Sequence, residues 1–256
     1  MAYSFIDILA FQQVLLLMAA VIVCYVGVLA AFAMRRNDAA ALKSTLRGAA
    51  VPVGAIAGVS IVIALYNELV WPFPPFIGQY NILFNDAFLL FAATMVVLSI
   101  SLAAQTKLQF AGLFGLVAGG VTIAYGWCGY GDGLTKDPLE TFLLYGAFGL
   151  ASVLAFPATL ITDHYLTHPE SSLFAAKAPL ARSRPSLMGA SRAVQPVVPG
   201  TASTGAETAP TVTSKFRVPV YFNAALIVFL VMIALAAVAA LLYLNTTLPA
   251  HMASPP

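Results

Sequence analysis

Six long apolar runs restrict the fold of this chain more than any motif does. A helix of about 20 residues crosses the hydrocarbon core of a bilayer, and a helix satisfies its own backbone hydrogen bonds in lipid. Each run is long enough to form such a helix. The sequence therefore predicts an all-α fold, a polytopic integral membrane helical bundle of about six transmembrane helices, over residues 8–34, 48–69, 86–104, 108–128, 139–162 and 218–244.

Composition supports the membrane assignment and argues against one class of partner. Hydrophobic residues make up 61% of the chain and charged residues only 9%, whereas a soluble domain is about 25% charged. The formal net charge of +2 does not provide the concentrated basic surface that nucleic-acid binding requires. The expected partner is therefore the lipid bilayer, and no nucleic acid is expected.

The distribution of Lys and Arg predicts an orientation. When the six runs are taken as spans, eleven of the twelve Lys and Arg residues fall on one side, and Lys136 alone falls on the other. Cytoplasmic segments of membrane proteins are enriched in these residues, so both termini are predicted to lie outside the cytoplasm. The eleven are Arg35, Arg36, Lys43, Arg47, Lys107, Lys177, Arg182, Arg184, Arg192, Lys215 and Arg217.

A long connection before the last span divides the chain into three parts. Residues 1–166 are predicted to form a five-span membrane block. Residues 167–214 are rich in Pro, Ala, Ser and Thr and lack an apolar period, so we expect a disordered cytoplasmic linker. Residues 215–256 are predicted to form a C-terminal transmembrane helix and a short outer tail. This tethered helix has two alternative positions, against the block or against another subunit.

Glycines at helical spacing indicate which spans pack closely. Lipid removes the hydrophobic drive between helices, so their association relies on close backbone approach at small residues. We therefore expect helix packing at Gly54 and Gly58 in the second span, and at Gly112, Gly115 and Gly119 in the fourth.

Polar residues concentrate in two segments of the predicted outer face, 66–86 and 125–140. If these loops converge, their carboxylates and amides form one cluster, whose oxygen ligands suit a hard cation such as Ca²⁺ or Mg²⁺. The spacing lacks the alternating acids of an EF-hand, and acids also collect wherever Lys is excluded, so metal binding stays open. The candidate site residues are Asn67, Glu68, Asn81, Asn85, Asp86, Asp132, Asp137 and Glu140.

Histidine placement argues against several cofactor sites. His164 and His168 lie four residues apart at the cytoplasmic end of the fifth span, beside Asp163, where they suit either a metal or a solvated helix end. No predicted span has a histidine in its interior, as facing haem ligands would require. There is also no Ser–His–Asp arrangement, phosphate-binding loop or dinucleotide motif. The sequence therefore predicts no catalytic residues and no cofactor.

Three motifs carry a resemblance to a known family: Tyr80 to Asp86 (YNILFND), Tyr125-Gly126, and Gly133 to Pro138 (GLTKDP). Through them, residues 80–166 resemble domain of unknown function 981, a family of prokaryotic multi-span membrane proteins. The resemblance implies a membrane block built around two outer loops, in a prokaryotic plasma (inner) membrane. It implies no activity, substrate or cofactor, so no functional residue is carried over.

Three functions compete on this sequence. The first is a non-catalytic integral membrane protein, an accessory subunit of a larger membrane complex, which the apolar spans and the tethered last helix favour. The second is a small-solute or ion transporter, against which the near absence of ionisable residues within the spans argues. The third is a membrane enzyme with an outer-face site of carboxylates and aromatic rings. The sequence favours them in that order.

Overall fold

The computed structural model describes residues 8–70, 81–168 and 220–253, and the side chains of the last helix over 224–245. Every element within these residues is a helix, and six are long and apolar enough to cross a membrane. The predicted all-α membrane bundle is therefore confirmed. The helices are α1 (Ile8–Arg35), α2 (Ala39–Val70), a π-helical turn (Ile82–Asp86) that leads into α3 (Ala87–Ala103), α4 (Gln109–Gly131), α5 (Pro138–Thr167) and α6 (Val220–Ala253).

Three helices end in the same kind of left-handed turn. The residues that follow α1, α3 and α4 include Asn37, Gln105 and Gly133, which have φ angles of 57°, 53° and 60°. In each turn the next N–H bonds to the carbonyl five residues earlier, which satisfies the end of the helix. These bonds join Asp38 to Ala33, Thr106 to Ser101 and Leu134 to Gly129. Such short connections place consecutive helices side by side in opposite directions.

The second helix is longer at both ends than its apolar run. It begins at Ala39 and contains Lys43 and Arg47, because these residues favour helix and their long side chains carry the charge towards water. Asp38 caps this start by accepting the N–H of Ala41 at 2.8 Å. The helix continues to Val70, and helical structure resumes at residue 81. The predicted end of the second span at residue 69 therefore agrees with the structure, whereas helix resumes before residue 86, where the third span was predicted to begin. Residues 71–80 lie outside the described part.

The last helix packs on the block formed by the first five. It lies against α1 and α5 and buries Phe229, Ile233 and Ala236. Leu230 is so close to α1 that a Cβ added at Gly27 would lie 2.7 Å from its side chain. Of the two positions expected for this helix, the structure has the one against the block. Residues 169–219, which contain nearly all of the predicted linker, lie outside the described residues.

The glycines of α4 face α5. A Cβ added at Gly119 would lie 2.8 Å from the Cβ of Ser152, and one at Gly112 would lie 2.9 Å from the Cα of Phe156. Gly115 lies between them on the same face. A Cβ added there would lie 3.3 Å from the carbonyl oxygen of Ser152. Only glycine allows the two backbones to come this close.

The two glycines of α2 differ from each other. Gly54 faces α3, where a Cβ would lie 2.7 Å from the Ser99 hydroxyl, and that hydroxyl donates to the carbonyl of Ala50 at 3.2 Å. Gly58 is exposed, and a Cβ added there would have no contact within 4 Å. The packing expected at Gly58 is therefore not found among the described helices, because the α2–α3 contact runs along the other side of α2.

The bundle has two chemically different ends. At the basic end, Lys43 and Lys107 share the wall of a polar cavity of about 200 Å³, and Tyr165 joins α5 to the α1–α2 turn by donating to Oδ1 of Asn37 at 2.9 Å. The opposite end is formed by the start of α1, the end of α2, the π-helical turn and the α4–α5 connection. We call it the acidic end.

Large apolar side chains cover the outside of the bundle. Leu69 is 84% exposed and Val51 is 78% exposed, and many other large apolar residues on all helices are also exposed. Apolar surface of this extent is unfavourable in water and suits the hydrocarbon core of a bilayer. The protein is therefore a multi-span membrane protein whose outer surface contacts lipid.

Candidate functional site

Three buried amides form a hydrogen-bonded chain at the acidic end. Asn85, in the π-helical turn, donates through Nδ2 to Oδ1 of Asn81 at 3.2 Å. Its own Oδ1 accepts from Nε2 of Gln12 in α1 at 3.4 Å. Each of the three residues is at most 2% exposed. A lone amide at such a position is costly, so the chain satisfies polar groups on two helices at once.

Two carboxyl groups and a phenol meet beside this amide chain. Tyr125 of α4 donates its hydroxyl to Oδ2 of Asp86 at 2.9 Å. The carboxyl group of Glu68, from α2, lies close enough to the Asp86 carboxyl group for the two to interact electrostatically. All three side chains are half-buried. Glu68 and Asp86 from the first predicted segment and Tyr125 from the second therefore meet here. We call the following six residues the polar centre: Gln12, Glu68, Asn81, Asn85, Asp86 and Tyr125.

The π-helical turn directs its polar side chains towards different helices. Asn85 and Asp86 are consecutive, yet the first contacts α1 and the second contacts α4 and α2. A π-helical turn inserts an extra residue into a helix and is frequent at functional sites. Tyr145 of α5 holds the turn in place by donating to the carbonyl oxygen of Leu83 at 2.7 Å. One segment of five residues thereby connects four other helices.

Two neighbouring polar side chains at the end of α2 have atoms with no hydrogen-bond partner in the described part of the chain. Asn67 is fully buried, and neither its amide nitrogen nor its amide oxygen has a partner there. Oε1 of Glu68 is likewise buried and unpartnered among these residues. An unmet buried polar group costs about 1–3 kcal/mol. The end of α2 is therefore where the described helices leave hydrogen-bonding capacity unused.

The candidate residues of the second predicted loop are less buried than the amides of the polar centre. Asp132 and Asp137 are exposed on the connection between α4 and α5, and Glu140 is half-buried in the first turn of α5. The backbone carbonyl of Asp137 accepts the N–H of Thr141 at 3.1 Å. The structure therefore groups Glu68, Asn81, Asn85 and Asp86 of the candidates and leaves Asp132 and Asp137 in solvent-facing positions.

At the basic end, Asp163 faces α4 rather than the two neighbouring histidines. Its carboxylate oxygens accept the backbone N–H groups of Leu108 at 3.0 Å and Gln109 at 2.7 Å, so it caps the start of α4. The rings of His164 and His168 lie 5.2 Å apart. Within residues 8–70, 81–168 and 220–253, no three His, Cys, Asp or Glu side chains are grouped to hold a metal ion. The geometry therefore favours a structural role for Asp163.

Comparison with known proteins gives one match. The family model described as "Protein of unknown function (DUF981)" matches residues 1–176. The chain belongs to this family. No curated protein and no solved structure matches the chain.

The family match extends well beyond the segment in which the resemblance was recognised. It includes α1 and α2 as well as residues 80–166, and it ends before α6 begins at Val220. Every residue of the polar centre lies within the matched part. In this DUF981 protein, α6 thus adds a sixth helix from outside the matched region to the block that holds the polar centre.

Sequence reasoning missed three residues of this region: Gln12, Tyr125 and Tyr145. A signal for Gln12 was present, because two consecutive glutamines interrupt an otherwise apolar run, and polar residues within spans are rare and often functional. Tyr125 belongs to a motif that carries the family resemblance, but that motif assigned it no role. No comparable signal marks Tyr145, since aromatic residues are common near the ends of spans for reasons of solvation alone.

The polar centre is equipped to receive a cation or a hydrogen-bond donor. Two adjacent carboxyl groups offer several acceptor positions, of which Tyr125 fills one. Lys136 is the only Lys or Arg among the described residues of the acidic end, and it is exposed on the α4–α5 connection. The carboxyl pair thus has acceptor capacity and negative charge that the described part of this chain does not match with a cation.

Proposed function

We propose that this protein is a non-catalytic membrane component, an accessory subunit of a larger membrane complex, and that Glu68 and Asp86 receive a Lys or Arg side chain from the partner subunit. The observation that supports this proposal is the pairing of two half-buried carboxyl groups without a neighbouring Lys or Arg in the described part of the chain. The acidic end would then lie outside the cytoplasm of a prokaryotic plasma membrane, as the distribution of Lys and Arg predicts.

The physical argument concerns the cost of an uncompensated charge next to lipid. Ionisable side chains in transmembrane segments are costly and pair with one another or line polar cavities. A guanidinium or ammonium group from a neighbouring helix supplies several donors at once. It would compensate both carboxyl groups and could also reach Oε1 of Glu68, which has no partner among the described residues. A partner subunit that carries such a cation at the same depth therefore fits this end.

A native mass measurement after mild detergent extraction tests this function. We expect the wild-type chain to be extracted together with a second polypeptide. The double variant Glu68→Gln, Asp86→Asn should be extracted alone, because it removes both charges at nearly constant side-chain volume. Asp132→Asn is the matched control, since it removes an exposed acid at the same end and should leave the complex intact.

Two results would count against an accessory subunit. A wild-type chain that is extracted as a bare monomer under the mildest conditions has no stable partner. A complex that survives the double variant unchanged does not depend on the carboxyl pair. Thermal unfolding of each variant shows whether a lost partner instead reflects a lost fold.

A proton or cation transporter is the second candidate, and the grouping of Glu68, Asp86 and Tyr125 favours it. These three groups exchange protons, and such groups within transmembrane helices mark ion paths. The interior beyond the polar centre is lined mostly by apolar side chains, which argues against a continuous polar path. Proteoliposomes that contain a pH-sensitive dye decide the matter: proton flux that Asp86→Asn abolishes would establish transport, and its absence in the wild type would dismiss it.

A further inference from the structure

A cavity of about 140 Å³ lies between α1, α3, α4, α5 and α6. It exists because small residues face it where large ones would fill the space, among them Ala19, Gly115, Ala118 and Ala151. Neither Glu68 nor Asp86 lines it. The cavity is therefore a feature separate from the carboxyl pair, and an inference about its contents does not depend on the function proposed above.

Aromatic rings form a large part of the cavity wall, beside several aliphatic side chains. Five phenylalanines line it, and they come from the π-helical turn, α3, α5 and α6. The polarisable side chain of Met95 lies in the same wall. Rings of this kind pack against another ring edge to face or offset, and methionine sulfur also favours aromatic contacts. The wall therefore suits a flat aromatic molecule. The five are Phe84, Phe88, Phe91, Phe148 and Phe229.

One side chain of the wall has a buried polar atom with no partner in the described part of the chain. Gln13 is 4% exposed and lines the cavity, and its Oε1 is buried without a hydrogen bond among the described residues. The adjacent Gln12 is already engaged with Asn85. The cavity thus combines an apolar wall with a single unmet acceptor.

Four hydroxyl-bearing side chains line the cavity, and all except Ser152 donate their O–H to a backbone carbonyl. Thr94 donates to the carbonyl of Leu90 at 2.7 Å, and Thr122 donates to that of Ala118 at 2.8 Å. Tyr145 donates to the carbonyl of Leu83 in the π-helical turn. Each of these three residues therefore donates its only O–H to its own helix or to the π-helical turn rather than to Gln13.

We propose that this cavity binds a single aromatic ring bearing one hydrogen-bond donor, a phenol-like group whose O–H donates to Oε1 of Gln13. The size agrees, because an apolar protein cavity of about 150 Å³ holds one benzene molecule. The donor is required because a ring without one would leave the buried acceptor unmet. The ring is supplied either as a small free phenol or as the head of a larger lipid-soluble phenol, which share this chemistry.

Fluorine NMR on the purified full chain in detergent tests the site with two probes, 4-fluorophenol and 4-fluorotoluene. They are of nearly equal size, and only the first carries a donor. We expect the phenol to bind about tenfold more tightly than the toluene, as one hydrogen bond to a buried acceptor implies. The variant Gln13→Leu should remove this difference by weakening phenol binding while toluene binding is kept.

A filled cavity provides the second arm of the test. Ala151→Leu places a larger side chain into the cavity and should abolish binding of both probes. Leu150→Phe is the matched control, because residue 150 is the neighbouring position on the exposed side of α5, and its binding should equal that of the wild type. Ala118→Leu repeats the filling from α4 and serves if Ala151→Leu lowers the unfolding temperature.

Three results would overturn the proposal. Equal affinity for the two probes would show that Gln13 selects nothing. Phenol binding that persists in the filled variants would place the probe elsewhere, for instance in the micelle. Absence of binding to the wild type would mean that water or another part of the chain occupies the space. If both probes behave as expected, a competition series with phenols of increasing chain length distinguishes a free phenol from a lipid-soluble one.

Discussion

At the scale of single residues, Asp163 shows that the helix a side chain faces decides its role. Beside His164 and His168 in the sequence, it suggested a metal ligand. In the structure both carboxylate oxygens accept backbone N–H groups at the start of α4. These N–H groups have no partner within their own helix, and the positive end of the helix dipole favours a negative charge there. A side chain from α5 thus completes α4.

Removing this cap is expected to destabilise the protein. Asp163→Ala should lower the free energy of unfolding by about 2 kcal/mol, because two backbone donors lose their partner and the dipole loses its charge. Asp163→Asn should cost less, since asparagine also caps helices. Thermal unfolding in detergent, followed by circular dichroism, measures both. Asp137→Ala is the control at an exposed acid, and a loss for Asp163→Ala no larger than for this control would contradict the assigned cap.

The bond between Tyr125 and Asp86 is a second test at this scale. A double-mutant cycle with Tyr125→Phe and Asp86→Asn should give a coupling of about 1–2 kcal/mol in the free energy of unfolding, as a hydrogen bond to a carboxylate does. Tyr130→Phe in place of Tyr125→Phe is the control, because Tyr130 is exposed near the same end of α4. Additive effects of the first pair would show that the two groups do not interact.

At the scale of helices, α4 and α5 are joined through backbone surfaces rather than through large side chains. Gly112, Gly115 and Gly119 form one face of α4, and the carbonyl oxygens of Gly149 and Ser152 lie against it. Their three- and four-residue spacing led us to expect packing on this face, since positions so spaced share one side of a helix. What the spacing did not reveal is that the partner would be α5.

Neighbouring glycines of α4 provide a matched pair for testing this contact. Gly119→Leu should lower the free energy of unfolding by about 1–3 kcal/mol, because the added side chain has no room between the two backbones. Gly120→Leu should change it by less than about 0.5 kcal/mol, since residue 120 is exposed with no atom within 4 Å. Denaturant titration in mixed micelles measures both, and equal losses would contradict the packing described.

At the scale of the whole molecule, the separation of a basic end from an acidic end predicts how the protein is oriented. Lys107 lies exposed at the basic end, in the α3–α4 turn, and Asp132 lies exposed at the acidic end, after α4. The orientation itself is inferred from the enrichment of Lys and Arg on the cytoplasmic side. It determines whether the carboxyl pair meets the outer or the cytoplasmic solvent.

Thiol labelling of intact cells checks this orientation. In a background with Cys24→Ala and Cys128→Ala, a membrane-impermeant reagent should label Asp132→Cys and should label Lys107→Cys only after the cells are broken. Labelling of both after lysis is the control for accessibility. The reverse pattern would place the acidic end in the cytoplasm and assign the carboxyl pair to the opposite solvent.

The sequence by itself determined that this is a bundle of six membrane helices. Span length, apolar content and the distribution of Lys and Arg are local properties, and each interacts with the bilayer independently of how the helices pack. Only the tertiary structure decided what the polar groups do. Gln12 and Asn85 are 73 residues apart, Asp86 and Tyr125 are 39 apart, and Asp163 and Leu108 are 55 apart.

Such pairs depend on which faces of which helices meet. In lipid that choice rests on side-chain shape and close approach rather than on hydrophobic periodicity, because every outward face is apolar. The six membrane-spanning runs can therefore be predicted from the sequence alone. The polar centre, the Asp163 cap and the position of α6 became visible only when the helices were packed.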